Sequence, residues 1–180
     1  YFFSPAHLNR MFDGKGNPLP LKGFTKLRFL SSEFSKLTER LEHYLKPAAA
    51  SLEDAVFRRI NTTLTLFTGV HAAKVLAEHE PVSRALIAAA PRGVLAVRVG
   101  GDGPAAWLNN QSDGVTVGKG VVDRPAALMQ FADMEAAHEV LSGKLDSMTA
   151  TGFGKLTLHG QIPLVENVGL IMDRVQGYLA

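Results

Sequence analysis

The run Val140-Leu141-Ser142-Gly143-Lys144-Leu145, a short insert, and then Gly154-Lys155-Leu156-Thr157-Leu158-His159-Gly160 decides the reading of this chain. Gly143 stands where a helix carrying Met134, Ala137, Val140 and Leu141 must end, because glycine accepts the left-handed backbone of a C′ residue. Asp133 supplies the N-cap of the same helix. From Lys155 to His159 the period changes to two, with Leu156 and Leu158 on one face, as in a half-buried strand. Pro163 suits the first turn of a last helix, whose stripe is Leu164, Val168, Ile171 and Val175, widened by Val165, Met172 and Leu179.

Upstream, Val94 to Val99 has strand propensity, and Gly100-Gly101-Asp102-Gly103 reads as a hairpin turn into Ala105 to Asn109. Asp113-Gly114 marks a second turn before Val115-Thr116-Val117, so these three strands form an antiparallel meander. A connection through Gly120 and Asp123 leads to a fourth strand, Ala126 to Phe131. The first half is helical. Ser32 can cap a helix to about Leu45 with Phe34, Leu37, Leu41 and Tyr44 on one face, ended by Lys46-Pro47. Ser51 opens a longer helix with Asp54 three residues on, and Val56, Ile60, Leu64 and Phe67 follow at helical spacing. Pro81 interrupts it, and Val82 to Ala90 forms a shorter helix.

The fold class is therefore α+β: a five-stranded sheet (antiparallel meander, crossover, two further strands) with helices on one face, preceded by a helical N-terminal region. Three segments are expected: 1–48 an N-terminal arm and helix, 49–92 a helical segment packing on the body, and 93–180 a ligand-binding domain. The apolar residues Phe2, Phe3, Leu8, Met11, Phe12 and Phe24 are too many for a solvated tail. They should pack on the body or on a second subunit, which permits a homodimer.

Composition narrows the function. There is no cysteine among 180 residues, which removes disulfides, thiol catalysis and cysteine-ligated metal, and fits a reducing, cytoplasmic setting. The chain begins at Tyr1, and an earlier targeting peptide stays an open alternative. The most hydrophobic stretch, Leu64 to Ala77, holds Thr65, Thr68, His71 and Lys74 and falls short of the roughly 20 apolar residues a bilayer span needs. Residues 1–46 carry eight Lys/Arg against four Asp/Glu, and residues 93–180 six against nine. That asymmetry permits a transient approach to an anionic membrane surface, but no cluster of basic and aromatic residues suggests nucleic acid.

Candidate catalytic patterns fail on spacing. His138-Glu139 begins like a zinc-protease helix, yet Ser142 occupies the second ligand position. Gly152-Phe153-Gly154-Lys155 lacks the upstream glycine of a phosphate loop, having Thr149 there, and leads into a strand. Gly100-Gly101-Asp102-Gly103 has no following helix for a dinucleotide. His7, His43, His71, His79 and His159 form no ligand pair, and no Gly-x-Ser-x-Gly elbow exists. Neither an enzyme nor a cofactor or metal is expected.

Residues Ala126 to Leu179 resemble the second half of a sterol carrier protein type two domain. That family's pattern is similar to Leu-x-x-Gly-Lys-Leu, then Ala-x-x-x-Gly-Lys-Leu-x-Leu-x-Gly, then an apolar helix. Here Val140 to Leu145 match the first element, with Val140 in place of leucine, Ala150 to Gly160 the second, and Pro163 to Leu179 the helix. The strand Val94 to Val99, the Trp107 strand and Val115 to Gly120 stand in matching order, so the resemblance covers about the last hundred residues. Thr151 and Gly152 depart from the large apolar residues the family often has after the alanine, and the chain ends Tyr178-Leu179-Ala180 without a peroxisomal tripeptide. The resemblance implies a tunnel between sheet and helices for a fatty acyl chain, sterol or isoprenoid, held without catalysis. The expected wall is Leu128, Phe131, Leu141, Met148, Phe153, Leu156, Leu158, Val168, Ile171 and Met172. The competing reading is a structural or regulatory module with a filled core, whose N-terminal helices make an oligomer interface.

Overall fold

A computed structural model of the chain describes residues 29–179. The expected packing of residues 1–28 lies outside the described residues. The chain divides into two compact units, Tyr1–Lys46 and Pro47–Ala180. In the first, a π-helical turn, Leu30–Phe34, runs into α1, Ser35–Leu45. The expected cap Ser32 instead lies inside that turn, and Phe34, at the cap position, is already helical at φ −67° and ψ −40°. Helical structure is under way before the first candidate cap is reached. Phe34, Leu37 and Leu41 share an exposed face of α1.

The second unit is α+β. It runs α2 (Ala55–His79), α3 (Pro81–Ala89), β1 (Gly93–Val99), β2 (Ala105–Gln111), β3 (Gly114–Lys119) and β4 (Ala127–Phe131). There follow α4 (Met134–Leu141), α5 (Ser147–Gly152), β5 (Leu156–Gly160) and α6 (Ile162–Leu179). Among the described residues no helix is long and apolar enough to cross a membrane.

The five strands form one mixed sheet in the order β3-β2-β1-β4-β5. The expected meander is present: β1 pairs antiparallel with β2, and β2 with β3. β4 then lies parallel to β1 on its other side, with Leu95 beside Ala127 and Val99 beside Phe131, and β5 closes the edge antiparallel to β4. A parallel neighbour requires the chain to return from the end of β3 to the start of β4. Residues 120–126 make that return without a helix, and the Arg98 guanidinium donates to the Val122 carbonyl on the way. Side chains alternate along a strand, so Arg98 points opposite to Val97 and Val99. The crossing therefore uses the face of the sheet away from the helices.

The other face takes the core. Val97, Val99, Ala106, Leu108, Phe131 and Leu156 pack against Leu66 and Val70 of α2 and Leu164, Val168 and Ile171 of α6. α2 begins three residues later than the Ser51 reading implies. Ala49–Glu53 is a 3-10 turn, and the Asp54 carboxylate accepts from Val56 N at 2.7 Å and Phe57 N at 3.3 Å. A carboxylate at the N-cap satisfies two otherwise unpaired N–H groups, so Asp54 sets the boundary. The buried face of α2 is Thr62, Leu66, Val70, Ala73 and Ala77. Of the residues spaced Val56, Ile60, Leu64 and Phe67, the first two are exposed. Lys119 Nζ sits 4.7 Å from the centre of the Phe67 ring. The helix carries two apolar stripes, and periodicity alone does not say which one meets the sheet.

α3 is held at both ends. At its N-terminus Glu80 Oε2 accepts from Ser83 N at 2.7 Å, and the same carboxylate pairs with Arg174 of α6. At its C-terminus the buried Asn110 of β2 donates through Nδ2 to the carbonyls of Ile87, Ala90 and Pro91 at 3.1 to 3.2 Å. Arg92 donates to Asn110 Oδ1 at 2.7 Å, so the amide of one strand residue satisfies the orphan carbonyls of a helix end.

Candidate functional site

A helix that must pack on both a sheet and a neighbouring helix divides its surface between them. In α6 the face Leu164, Val168, Ile171 and Val175 is buried in the core. One step round the helix lie Gly169, Met172, Asp173 and Gln176, spaced i, i+3, i+4 and i+7. This second face does not reach α4 and α5. Between them is a cavity of about 310 Å³, at the lower end of the roughly 300–1,000 Å³ typical of small-molecule sites.

Its floor is Val97 of β1 with Met129 and Phe131 of β4. Leu66 of α2 closes the back, and Val140, Leu141 and Leu145 form the wall opposite α6. The polar lining residues Asp146, Ser147, Asp173 and Gln176 are all exposed, so they mark the mouth. Two glycines shape the space. Gly143 at φ 72° ends α4 in the left-handed conformation and swings the chain toward the mouth. Gly169 leaves open space where a side chain would project: a Cβ there would meet nothing within 4 Å.

The mouth is acidic. Asp146 caps α5, its Oδ1 accepting from Thr149 N at 2.9 Å, and the Thr149 hydrogen bonds hold its carboxyl below the usual carboxylate range. Among the described residues neither Asp146 nor Asp173 takes part in an ion pair. Three cations of the same helices and strands are engaged elsewhere, Arg174 with Glu80, Lys155 with Glu139 and Arg58 with Glu135, while Lys144, between Gly143 and Leu145, is exposed and in none of these pairs.

His138 lies on α4 but does not line the cavity. It is buried, with Nδ1 3.2 Å from Thr62 Oγ1, and that hydroxyl donates its own proton to the Arg58 carbonyl at 2.8 Å. Nδ1 must therefore carry the hydrogen, leaving Nε2 as a buried lone pair with no hydrogen-bond partner. Burial, then the nearby Lys144 charge, pushes the imidazole pKa down. Among the described residues no three His, Cys, Asp or Glu side chains are grouped to hold a metal ion.

Of the expected wall residues, Phe131, Leu141 and Met172 line this cavity. Leu156, Val168 and Ile171 are buried in the core beside it, and Leu158 packs half-buried against that core. Leu128 faces the other side of the sheet: it is level with Ala96 while Met129 is level with Val97, one residue out of phase. Met148 and Phe153 stand out in solvent at 85% and 74% exposure, because the small Ala150 is the residue that anchors α5. Reading the wall from the sequence passes over Leu66, Val97, Met129, Val140, Leu145 and Gly169. Met129 and Val97 carry a signal, since both share the face of Phe131. Leu66 carries none, because nothing local links α2 to β4.

No protein-family model matches the chain, and no curated protein does. Solved structures do. The sterol carrier protein domain 2 of Helicoverpa armigera is 20% identical, covering 63% of this chain and 89% of that one with a TM-score of 0.46. The apo form of Sterol Carrier Protein 2 from Yarrowia lipolytica is 16% identical, covering 62% and 89% with a TM-score of 0.48. The stereoselective inverting sec-alkylsulfatase Pisa1 from Pseudomonas sp. is 15% identical and covers 93% of this chain but 33% of its own, at a TM-score of 0.35. The chain is thus similar to sterol carrier protein 2 structures over about 60% of its length.

Proposed function

We propose that the chain binds an apolar lipid, a fatty acyl, sterol-like or isoprenoid molecule, in the cavity between the sheet and α4–α6, and that it does so without catalysis. The observation that carries this reading is the 310 Å³ space, walled by Leu66, Val97, Met129, Phe131, Leu141 and Met172 and polar at one end. Each methylene moved from water into such a space contributes about 0.8 kcal/mol, so a long chain needs few specific contacts. A bilayer offers the same apolar surroundings, so passage between membrane and protein is close to neutral and reversible. Transfer between membranes, with a transient surface contact, follows as the use of such a protein.

Titration of the lipid-stripped full chain with a fluorescent 12-carbon alcohol probe, which carries no carboxylate, tests the reading. Saturable one-to-one binding, and lipid recovered by organic extraction of protein purified from cells, are the expected results. A chain that yields no lipid and does not respond to the probe would end it.

A further inference from the structure

The proposed lipid has a polar end, and the mouth of the cavity limits what that end can be. An apolar chain lying along Val97, Met129, Phe131 and Met172 leaves its head group among Asp146, Ser147, Asp173 and Gln176. Both ionisable groups there are carboxylates. The hydrogen bonds from Thr149 hold the Asp146 carboxyl below the usual carboxylate range. Gln176 Oε1 lies 3.9 Å from where a Cβ on Gly143 would sit, which puts an uncharged amide beside the carboxylates. No arginine, lysine or histidine lines the cavity. Lys144, between the lining residues Gly143 and Leu145, is exposed and does not line it either.

We infer that the mouth selects lipids by charge, accepting a long apolar chain that ends in a hydrogen-bond-donating hydroxyl or ammonium group and rejecting one that ends in a carboxylate. A hydroxyl or ammonium donates to the carboxylates, whereas a ligand carboxylate meets like charge there with no cation in the lining; the Gln176 amide, with an acceptor oxygen and a donor NH2, serves either head group. This rests on the reading that the cavity holds a lipid chain, and it adds which class of head group that chain bears.

The test is competition for the bound fluorescent probe by three 12-carbon ligands at pH 7.5, using the lipid-stripped full chain: 1-dodecanol, dodecylamine and dodecanoate. Dodecanol and dodecylamine should displace the probe, and dodecanoate should be weaker by about tenfold or more. In the double variant Asp146→Asn, Asp173→Asn, the dodecanoate-to-dodecanol ratio should move toward one. Asparagine also caps helices, so α5 keeps its N-cap, and the melting temperature reports that the fold is intact. Dodecanoate binding as tightly as dodecanol, or a ratio the double variant leaves unchanged, overturns the selectivity while leaving lipid binding in place. Failure of all three ligands and of the probe removes the lipid reading, and the selectivity with it.

Discussion

Gly169 connects the stability of α6 to the volume of the cavity, and replacing it separates the two. It lies inside an 18-residue helix, where glycine costs about 1 kcal/mol relative to alanine. A Cβ at this position meets no atom within 4 Å, so Gly169→Ala gains helix propensity without a clash. For a unit of this size that gain raises the melting temperature by about 2–4 °C. Gly169→Leu goes further, because its side chain enters the space between Met172 and Leu141 and takes the place of ligand. Apolar burial of a leucine contributes about 1.5–3 kcal/mol, so this variant should fold at least as stably as the parent while losing affinity for the fluorescent alcohol probe by tenfold or more. The assay is differential scanning calorimetry paired with the probe titration. A Gly169→Ala variant that melts lower, or a Gly169→Leu variant that binds the probe as tightly as the parent, would refute the placement of this face of α6 beside an empty space.

Further tests address the supports of the cavity. Asn110→Ala strips three carbonyls at the end of α3 of their donor, and should lower stability by about 2–3 kcal/mol, read as a reduced urea midpoint. Arg174 and the Ser83 amide lower the Glu80 pKa to about 2. A carboxylate with a depressed folded pKa contributes stability that is present above the usual value near 4.5 and lost as pH falls toward 2. Glu80→Gln should therefore flatten the acid unfolding profile in that window. His138, with its pKa lowered by burial, acts in a higher range. Stability should be level above about pH 6.5, where the imidazole is neutral in both states, and fall below it as the unfolded chain takes up a proton that the folded chain resists. His138→Gln should remove that slope from urea melts at pH 7.5 and 5.5.

The strands, their turns and the last two long helices were legible because each is bounded by a residue with one conformational meaning: Gly143, Asp133, Pro163 and the Asp113-Gly114 pair. The sheet order was not. A period of two assigns each residue a face but names no neighbour, so the parallel contact of Leu95 with Ala127 could not be read from either strand. α5 escaped notice because its six residues hold a single large apolar side chain, Met148, and that one points to solvent. The same gap explains the site. Phe131 and Met172 were legible from their own stripes, and Leu128 was misassigned by one residue along a strand. Leu66 reaches the cavity only through the packing of α2 on a sheet that follows it in the chain.

The position of β1 bears on how the chain emerges from the ribosome. Among the described residues it is the first strand made, and it is the central one of the sheet, yet its β4 partner, from Ala127 onward, and the covering helix from Ile162 onward come much later. Throughout synthesis Leu95, Val97 and Val99 form part of a half-built sheet with one unpaired edge, an aggregation-prone surface of the kind that chaperones cover. A nascent chain arrested before Ala127 should accordingly be a better chaperone client than one released after Leu179.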